Sequence, residues 1–382
     1  MAFEHYIRSG QKMLRCGYTT GTCAALAASG AARLLLLGET PETLSLPTPK
    51  GWTVEVCPEG LAHTKDGAVC SVRKDGGDDA DVTHGMLVTA LVRRTEEPGV
   101  RIDGGEGVGR VTRPGLDQPV GAAAINHVPR QMIAQAVENV CREAGYAGGV
   151  EVIVSIPGGE ERAKRTFNPL LGIEGGLSVL GTSGIVEPMS EQAIVDTIAV
   201  EVRQAAQTSR RLILTPGNYG ADFLAAHGLD GLGVPVVRCS NFIGDALDMA
   251  AAEGFAQVLL AGHIGKLVKL AGGIMNTHSR QADGRCELFC AHAAVAGASR
   301  GLCARLMEAA TTDACIALLE EENLRLPVLA SLTAAAQRHV ERRAAGVYEA
   351  GVLLFSNVYG TLGVSPQAEA IIHSWREEHH EQ

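Results

Sequence analysis

The chain has 382 residues, 46% of them hydrophobic and 20% charged, which fits a soluble globular protein with room for two domains. A formal net charge of −10 and an aromatic content of 4% exclude a broad basic footprint for nucleic acid and argue against single-strand stacking. The 46 glycines point to many tight backbone turns.

The start, Met1-Ala2-Phe3-Glu4-His5, lacks the basic-then-apolar order of a secretory leader, and the ten cysteines are scattered. The reading is a cytoplasmic protein with reduced thiols. The longest greasy run, Leu34 to Leu37, is too short to cross a membrane. Residues 14–38 hold Gly17-Tyr18-Thr19-Thr20-Gly21-Thr22-Cys23 and then an alanine- and leucine-rich helix ending at Gly38. Thr19 and Thr20 stand where the first helical N–H groups need acceptors. A hydroxyl cap is the preferred local reading, with an anion site as the alternative.

Alternation over 43–73 predicts a small antiparallel sheet. The next loop packs Asp75, Asp78, Asp79 and Asp81 with His84 and three glycines, and it lacks the ligand register of an EF-hand. Turn formation accounts for such a cluster. A loop this charged beside a strand from Met86 is also where catalytic carboxylates or a histidine base would sit. The glycines of 104–109 fail the dinucleotide fingerprint, because strand-like Arg110-Val111-Thr112 follows. A helix over 131–144 and a strand over 150–156 complete an α+β first domain with mixed or antiparallel strands, residues 1–168.

The second domain, 169–370, repeats one unit: a short apolar strand, a glycine-bearing polar loop and, in most cases, a helix. The strands are 177–180, 211–214, 234–237, 257–260 and 352–355. Their loops carry Gly181-Thr182-Ser183-Gly184, Gly217-Asn218, Ser240-Asn241, His263 to Lys266, and Ser356-Asn357. In a Rossmann-like doubly wound parallel sheet such loops gather at the carboxyl edge, where ligands bind. The 271–323 insertion reads as mostly helical. Cys286, Cys290 and His292 lack a second pair at zinc spacing, and the segment before Lys266 lacks the first P-loop glycine. No protein metal site is assigned. The polar tail, 371–382, reads as frayed.

These segments resemble the CbiD family of cobalt-precorrin-5B C1-methyltransferases in the oxygen-independent cobalamin pathway. The matching stretches are Gly17 to Ala25, Lys74 to Gly85, Gly105 to Gly109, Ala124-Ile125-Asn126 with Pro129-Arg130, and Ala163 to Met189. Ser240 to Gly244, Gly262 to Leu270 and Asn276 to Glu287 complete the set, in order from about residue 14 to 365. The resemblance implies S-adenosylmethionine as methyl donor and a corrinoid substrate that brings its own cobalt. It implies no nucleic-acid or membrane partner, and homo-oligomer formation is left open.

On that reading Gly181, Thr182, Ser183, Gly217, Asn218, Ser240 and Asn241 hold the donor, with Asn218 or Asp245 on its ribose. The substrate's carboxylates are met by Thr19, Thr20, Lys74, Arg130, Lys164, Arg165 and Lys266, with Arg15 and Lys269 as further cations. His84, His263 and Asp81 are the candidates for proton transfer, and His84 is preferred to His263. A nicotinamide-dependent reductase of a corrin precursor and a non-catalytic tetrapyrrole carrier are the rival readings.

Overall fold

A computed structural model describes residues 3–9 and 11–380, and they form two compact units, Met1–Glu191 and Gln192–Gln382. The division falls beyond the expected 168/169 boundary, because the segment Leu177 to Gly184 belongs to the first unit.

In the first unit helix α1 (Thr20–Leu37) lies against a five-stranded sheet of β1 (Glu59–Thr64), β2 (Gly67–Arg73), β3 (Leu87–Thr95), β4 (Gly99–Gly104) and β5 (Gly149–Ser155). Helix α2 (His127–Glu143) packs beside α1. The sheet order is β1-β2-β3-β5-β4, antiparallel except for the β5–β4 pair. It is mixed, as expected. Val88, Ala90 and Val92 alternate inward along β3, and Val150, Val152 and Val154 along β5, as one buried sheet face requires. Leu44–Pro47 and Thr53–Val56 form a separate hairpin, so the predicted small sheet splits between two sheets.

Helix α1 is long and apolar enough, by length and composition, to cross a membrane. Leu34 to Leu37 therefore understates the longest apolar stretch. Its Ala24, Ala25, Leu26, Ala27 and Ala28 are all fully buried against the unit's own core, which explains the composition without a bilayer.

The second unit begins with α3 (Glu191–Ala206) and then alternates β6 (Arg211–Thr215), α4 (Tyr219–Ala226), β7 (Val236–Arg238), α5 (Ile243–Ala252) and β8 (Gln257–His263). An insertion follows, with α6 (Arg285–Val295), α7 (Arg300–Met307) and α8 (Thr312–Glu321). Then come α9 (Arg325–Ala344), β9 (Glu349–Ser356), β10 (Gly360–Val364) and α10 (Pro366–His380). The sheet order is β7-β6-β8-β9-β10, parallel through β9 with an antiparallel edge.

Alternate strand residues feed two cores. Leu212, Leu214, Val258, Leu260, Val352 and Leu354 face α3, α5, α9 and the insertion, whereas Ile213, Leu259, Leu353 and Phe355 face α4 and α10. Helices thus cover both faces, which is why these strands read as continuous apolar runs.

The tail is not frayed. Trp375 is 1% exposed and its indole N–H donates to Gln257 Oε1 at 2.6 Å, so α10, which runs to His380, is anchored in the core at Trp375. Glu381 and Gln382 lie outside the described residues. Trp375→Ala should cost about 3–5 kcal/mol of unfolding free energy in urea titrations. A variant as stable as wild type would show that α10 is not structural.

Candidate functional site

In the first unit the acidic loop is tied down by its own charges. Arg15 grips Asp75 through two bonds, 2.6 and 2.9 Å, and that hydrogen-bonded pair holds the Asp75 carboxyl below the usual range. Asp78 accepts from the Arg15 backbone N–H at 2.7 Å, and Asp79 from that of Met189 at 3.1 Å. Lys74, only 3% exposed, donates to Asp81 and to the Thr83 hydroxyl. Burial pushes the Asp81 carboxyl upward, but Lys74 and Thr83 outweigh it and leave Asp81 below its ordinary value. A carboxylate so held is a poor base near neutral pH, and its lysine cannot clamp substrate.

The other expected clamps of this unit divide. Thr19 caps α1, accepting from the Thr22 N–H at 3.3 Å, and Thr19 and Thr20 are both buried. Leu180 and Gly184 carbonyls take the N–H groups of Gly21 and Thr19, so the helix end is filled by protein and the cap reading holds over the anion site. A side chain at Gly181 would meet Thr19 at 2.5 Å, and Gly181 has φ +131°. Gly181, Thr182 and Ser183 therefore lie inside the first unit, Gly181 against the α1 cap and Ser183 accepting through its carbonyl from the Lys50 N–H at 2.9 Å. They do not end a strand of the second unit's sheet: Leu177 and Val179 make only isolated bridges, to Val108 and Ile125.

Arg130 spends its guanidinium on the carbonyls of Ile125, Ile102 and Ala123, and burial lowers its pKa, so it is a backbone staple. Lys164 and Arg165 differ from it. Lys164 is exposed and pairs with Glu161 at 2.6 Å. Arg165 has no ion-pair partner among the described residues, and nearby Phe167 and Leu170 are 61% and 68% exposed. Sequence reasoning passed over these two apolar side chains. Their signal was an unpatterned Phe and Leu flanking Asn168-Pro169 in a cationic segment.

In the second unit the carboxyl ends of β6, β7 and β8 bring together Gly217-Asn218, Ser240-Asn241 and His263 to Lys266. The chain leaves β6 toward one side of the sheet and β8 toward the other, with α4 and α5 on opposite faces. The crevice between β6 and β8 is thus the reversal point where open α/β sheets bind ligands. Lys266 Nζ stands 3.4 Å from where a Gly217 side chain would begin, and donates to the Ser240 carbonyl at 3.2 Å. It has no carboxylate partner among the described residues, and burial lowers its pKa. Asn241 is partly spent: its Oδ1 accepts from the Thr277 hydroxyl at 3.3 Å. Lys269 is buried, donating to the Thr277 and Ala282 carbonyls at 3.1 and 2.8 Å, which removes it from the clamps.

The two histidines share one arrangement. His84 Nδ1 accepts from the Gly76 N–H at 3.0 Å, and His263 Nδ1 from the Gly265 N–H at 3.1 Å, so each neutral ring presents Nε2–H outward. Burial keeps His263 below the ordinary histidine pKa, with Asp313 pulling weakly the other way. Only His84 has a carboxylate near Nδ1, Asp75 Oδ1 at 3.8 Å.

These features define a class: a two-unit α/β protein whose parallel sheet carries, at its carboxyl edge, a half-buried lysine with no carboxylate partner among the described residues. The chain belongs to the CbiD family, matching its main domain over residues 7–188 and its C-terminal domain over 276–366. It is 46% identical to a cobalt-precorrin-5B C(1)-methyltransferase of Ruminiclostridium cellulolyticum, over 93% of this chain and 92% of that protein. It is 41% identical to the Alkaliphilus metalliredigens protein of the same name, over 97% of each. The crystal structure of a cobalamin biosynthesis protein, cbiD, from Archaeoglobus fulgidus aligns with a TM-score of 0.40 at 30% identity, covering 73% of this chain and 87% of that one.

Asp81→Asn should strand Lys74 as a buried ammonium and cost about 3 kcal/mol at pH 7. Because the Asp81 carboxyl is held below its unfolded value, its contribution is present above about pH 4 and is lost as acid protonates the folded form. The gap between wild type and variant in urea titrations should therefore narrow from pH 7 toward pH 3. A gap independent of pH would mean that the pair does not hold the loop.

Proposed function

We propose that the chain is an S-adenosylmethionine-dependent methyltransferase that methylates C1 of cobalt-precorrin-5B, giving cobalt-precorrin-6A. The observation that carries this is the identity with relatives of that name along nearly the whole chain. On this reading the second unit is a Rossmann-like donor domain. Its donor site uses Gly217, Asn218, Ser240 and Asn241, with the exposed ring of Tyr219 as a face for adenine. The site is built here from the loops of the sheet edge, since Gly181, Thr182 and Ser183 do not end a strand of that sheet.

Methyl transfer from a sulfonium to an electron-rich ring carbon is an in-line displacement. The protein's share of it is alignment and exclusion of water. The donor's positive charge fades as the bond forms, so a carboxylate pressed on sulfur would stabilise the ground state more than the transition state. The substrate is an apolar macrocycle ringed by carboxylate arms, and Arg165 and Lys164 beside exposed Phe167 and Leu170 offer both chemistries. Cobalt arrives with the substrate and needs no ligand from the chain.

After C1 becomes quaternary the conjugated system sheds a proton. His84 is the better base, because Asp75 Oδ1, 3.8 Å from Nδ1, favours the imidazolium formed on proton uptake; accepting at Nε2 requires the ring hydrogen to move to Nδ1 and the Gly76 N–H bond there to break. His263 has no such carboxylate at Nδ1 and serves as a neutral Nε2–H donor.

Three measurements test this reading. In calorimetry S-adenosylhomocysteine should bind the wild type and fail to bind Gly217→Val, whose φ of +87° admits no branched side chain. Gly181→Val should instead lower the stability of the first unit. Unaltered affinity in Gly217→Val would move the donor away from this edge. In single-turnover methylation His84→Asn should slow the reaction about 100-fold, while His263→Gln keeps a rate close to wild type. A His84→Asn rate matching wild type would exclude His84 as the base. Arg165→Ala should weaken corrinoid binding, and added salt should reduce the remaining difference. Salt-independent, unchanged affinity would exclude the clamp.

A further inference from the structure

Three features meet at the end of β6. The first is the start of α4, where the backbone N–H groups of the opening turn have no helical acceptor and Asn218 makes no side-chain cap. The second is Lys266, half-buried, whose ammonium has one acceptor among the described residues, the Ser240 carbonyl at 3.2 Å, and lies beside Gly217. The third is Thr215, the last residue of β6. It is 0% exposed and its hydroxyl has no hydrogen-bond partner among the described residues. That hydroxyl points at the first turn of α4, since any side chain at Gly220 would collide with it.

Each feature alone has an ordinary explanation, but the three share one deficit. The helix start and the ammonium both supply donors and positive charge without an anion to receive them. The hydroxyl is a donor withdrawn from water and left unpaired, which costs free energy that only an acceptor brought to that turn can return. A planar carboxylate satisfies all three, because its two oxygens accept several bonds and its charge answers the lysine.

Two carboxylate sources are available, the methionine end of the donor and an arm of the corrinoid. The site lies at the reversal point of the sheet, in the same loops that the donor reading uses, so the inference rests on that reading. We propose that Lys266, Thr215 and the opening turn of α4 bind the α-carboxylate of S-adenosylmethionine, and that Lys266 belongs to the donor site and not to the substrate clamp. Anchoring the donor by its carboxylate keeps the ammonium of Lys266 at the far end of the aminobutyrate chain from the sulfonium. Like charges are thereby held apart, and the methyl group is aimed out of the crevice.

The test compares two ligands that differ in the aminobutyrate group. S-adenosylhomocysteine carries the carboxylate, and 5′-methylthioadenosine keeps the nucleoside and sulfur without it. By calorimetry Lys266→Met should lose about ten- to a hundredfold in affinity for S-adenosylhomocysteine while its affinity for methylthioadenosine stays at the wild-type value. That second affinity also reports that the variant is folded. Equal losses on both ligands, or retention of both affinities, overturn the assignment. So does weakened corrinoid binding with donor affinity intact, which would return Lys266 to the substrate. A wild type that binds neither nucleoside overturns the donor reading itself and this inference with it.

Thr215→Val provides a second arm. Removing an unpaired buried hydroxyl at constant shape should leave the melting temperature of the free protein equal to or above wild type, yet lower S-adenosylhomocysteine affinity by about threefold or more. Full retention of the preference for S-adenosylhomocysteine over methylthioadenosine in Thr215→Val would remove the hydroxyl from the site.

Discussion

Burying the N-terminus of α1 is the constraint on which the first unit turns. A helix this apolar belongs in the core, but its opening N–H groups cannot be left there without acceptors. Thr19 supplies one, and the carbonyls of Leu180 and Gly184 supply others from a segment far along the chain. The Thr22 hydroxyl donates to the same Gly184 carbonyl at 2.6 Å. Closing that contact needs backbone close to backbone. Gly181 lies against Thr19, Gly184 against Thr48, and Gly17 against the Asp75–Gly77 turn, each at a distance no side chain allows. The glycine- and threonine-rich motifs that look like ligand loops are, in this unit, the joints of the core.

The acidic loop extends the same logic. Its carboxylates spend themselves on Arg15, Lys74 and backbone N–H groups, so its polarity is mostly internal. His84 keeps an exposed edge above it, half of its side chain open to solvent. A rigid, charge-saturated loop carrying one exposed imidazole suits a single proton transfer better than a cluster of competing bases, whose shared proton would have no fixed site.

In the second unit the balance is reversed. Three buried side-chain atoms of this unit lack a hydrogen-bond partner among the described residues, Thr215 Oγ1 at the end of β6 and Arg325 Nε and Gln337 Oε1 on α9, and the first of these shares the edge above β6 and β8 with Lys266. Lys266 is half-buried there without a carboxylate partner, and Thr215 is buried with no hydrogen-bond partner, among the described residues. Such groups reduce the stability of the free protein. Their concentration at one place, where the sheet's connections reverse, is what separates a ligand edge from an ordinary surface.

The sequence by itself determined most of the element list. Periodicity and capping signals placed α1 with its end at Gly38, the four parallel strands of the second unit, α3 and the helical insertion, because local pattern follows local burial. It also carried the family, through motifs spread along the chain. Only the tertiary structure decided which motif residues are free to act. Lys74, Arg130 and Lys269 look like surface clamps in one dimension, yet each is consumed by carbonyls or a carboxylate brought from elsewhere in the fold. Leu177 to Gly184 reads as strand and loop, but becomes a cap because its acceptors are needed by a helix more than 140 residues earlier. The tail is polar in composition and still buries Trp375, a single large side chain that outweighs its hydrophilic neighbours. Whether a polar group is spent or available depends on partners distant in sequence, and chain order alone does not contain that information.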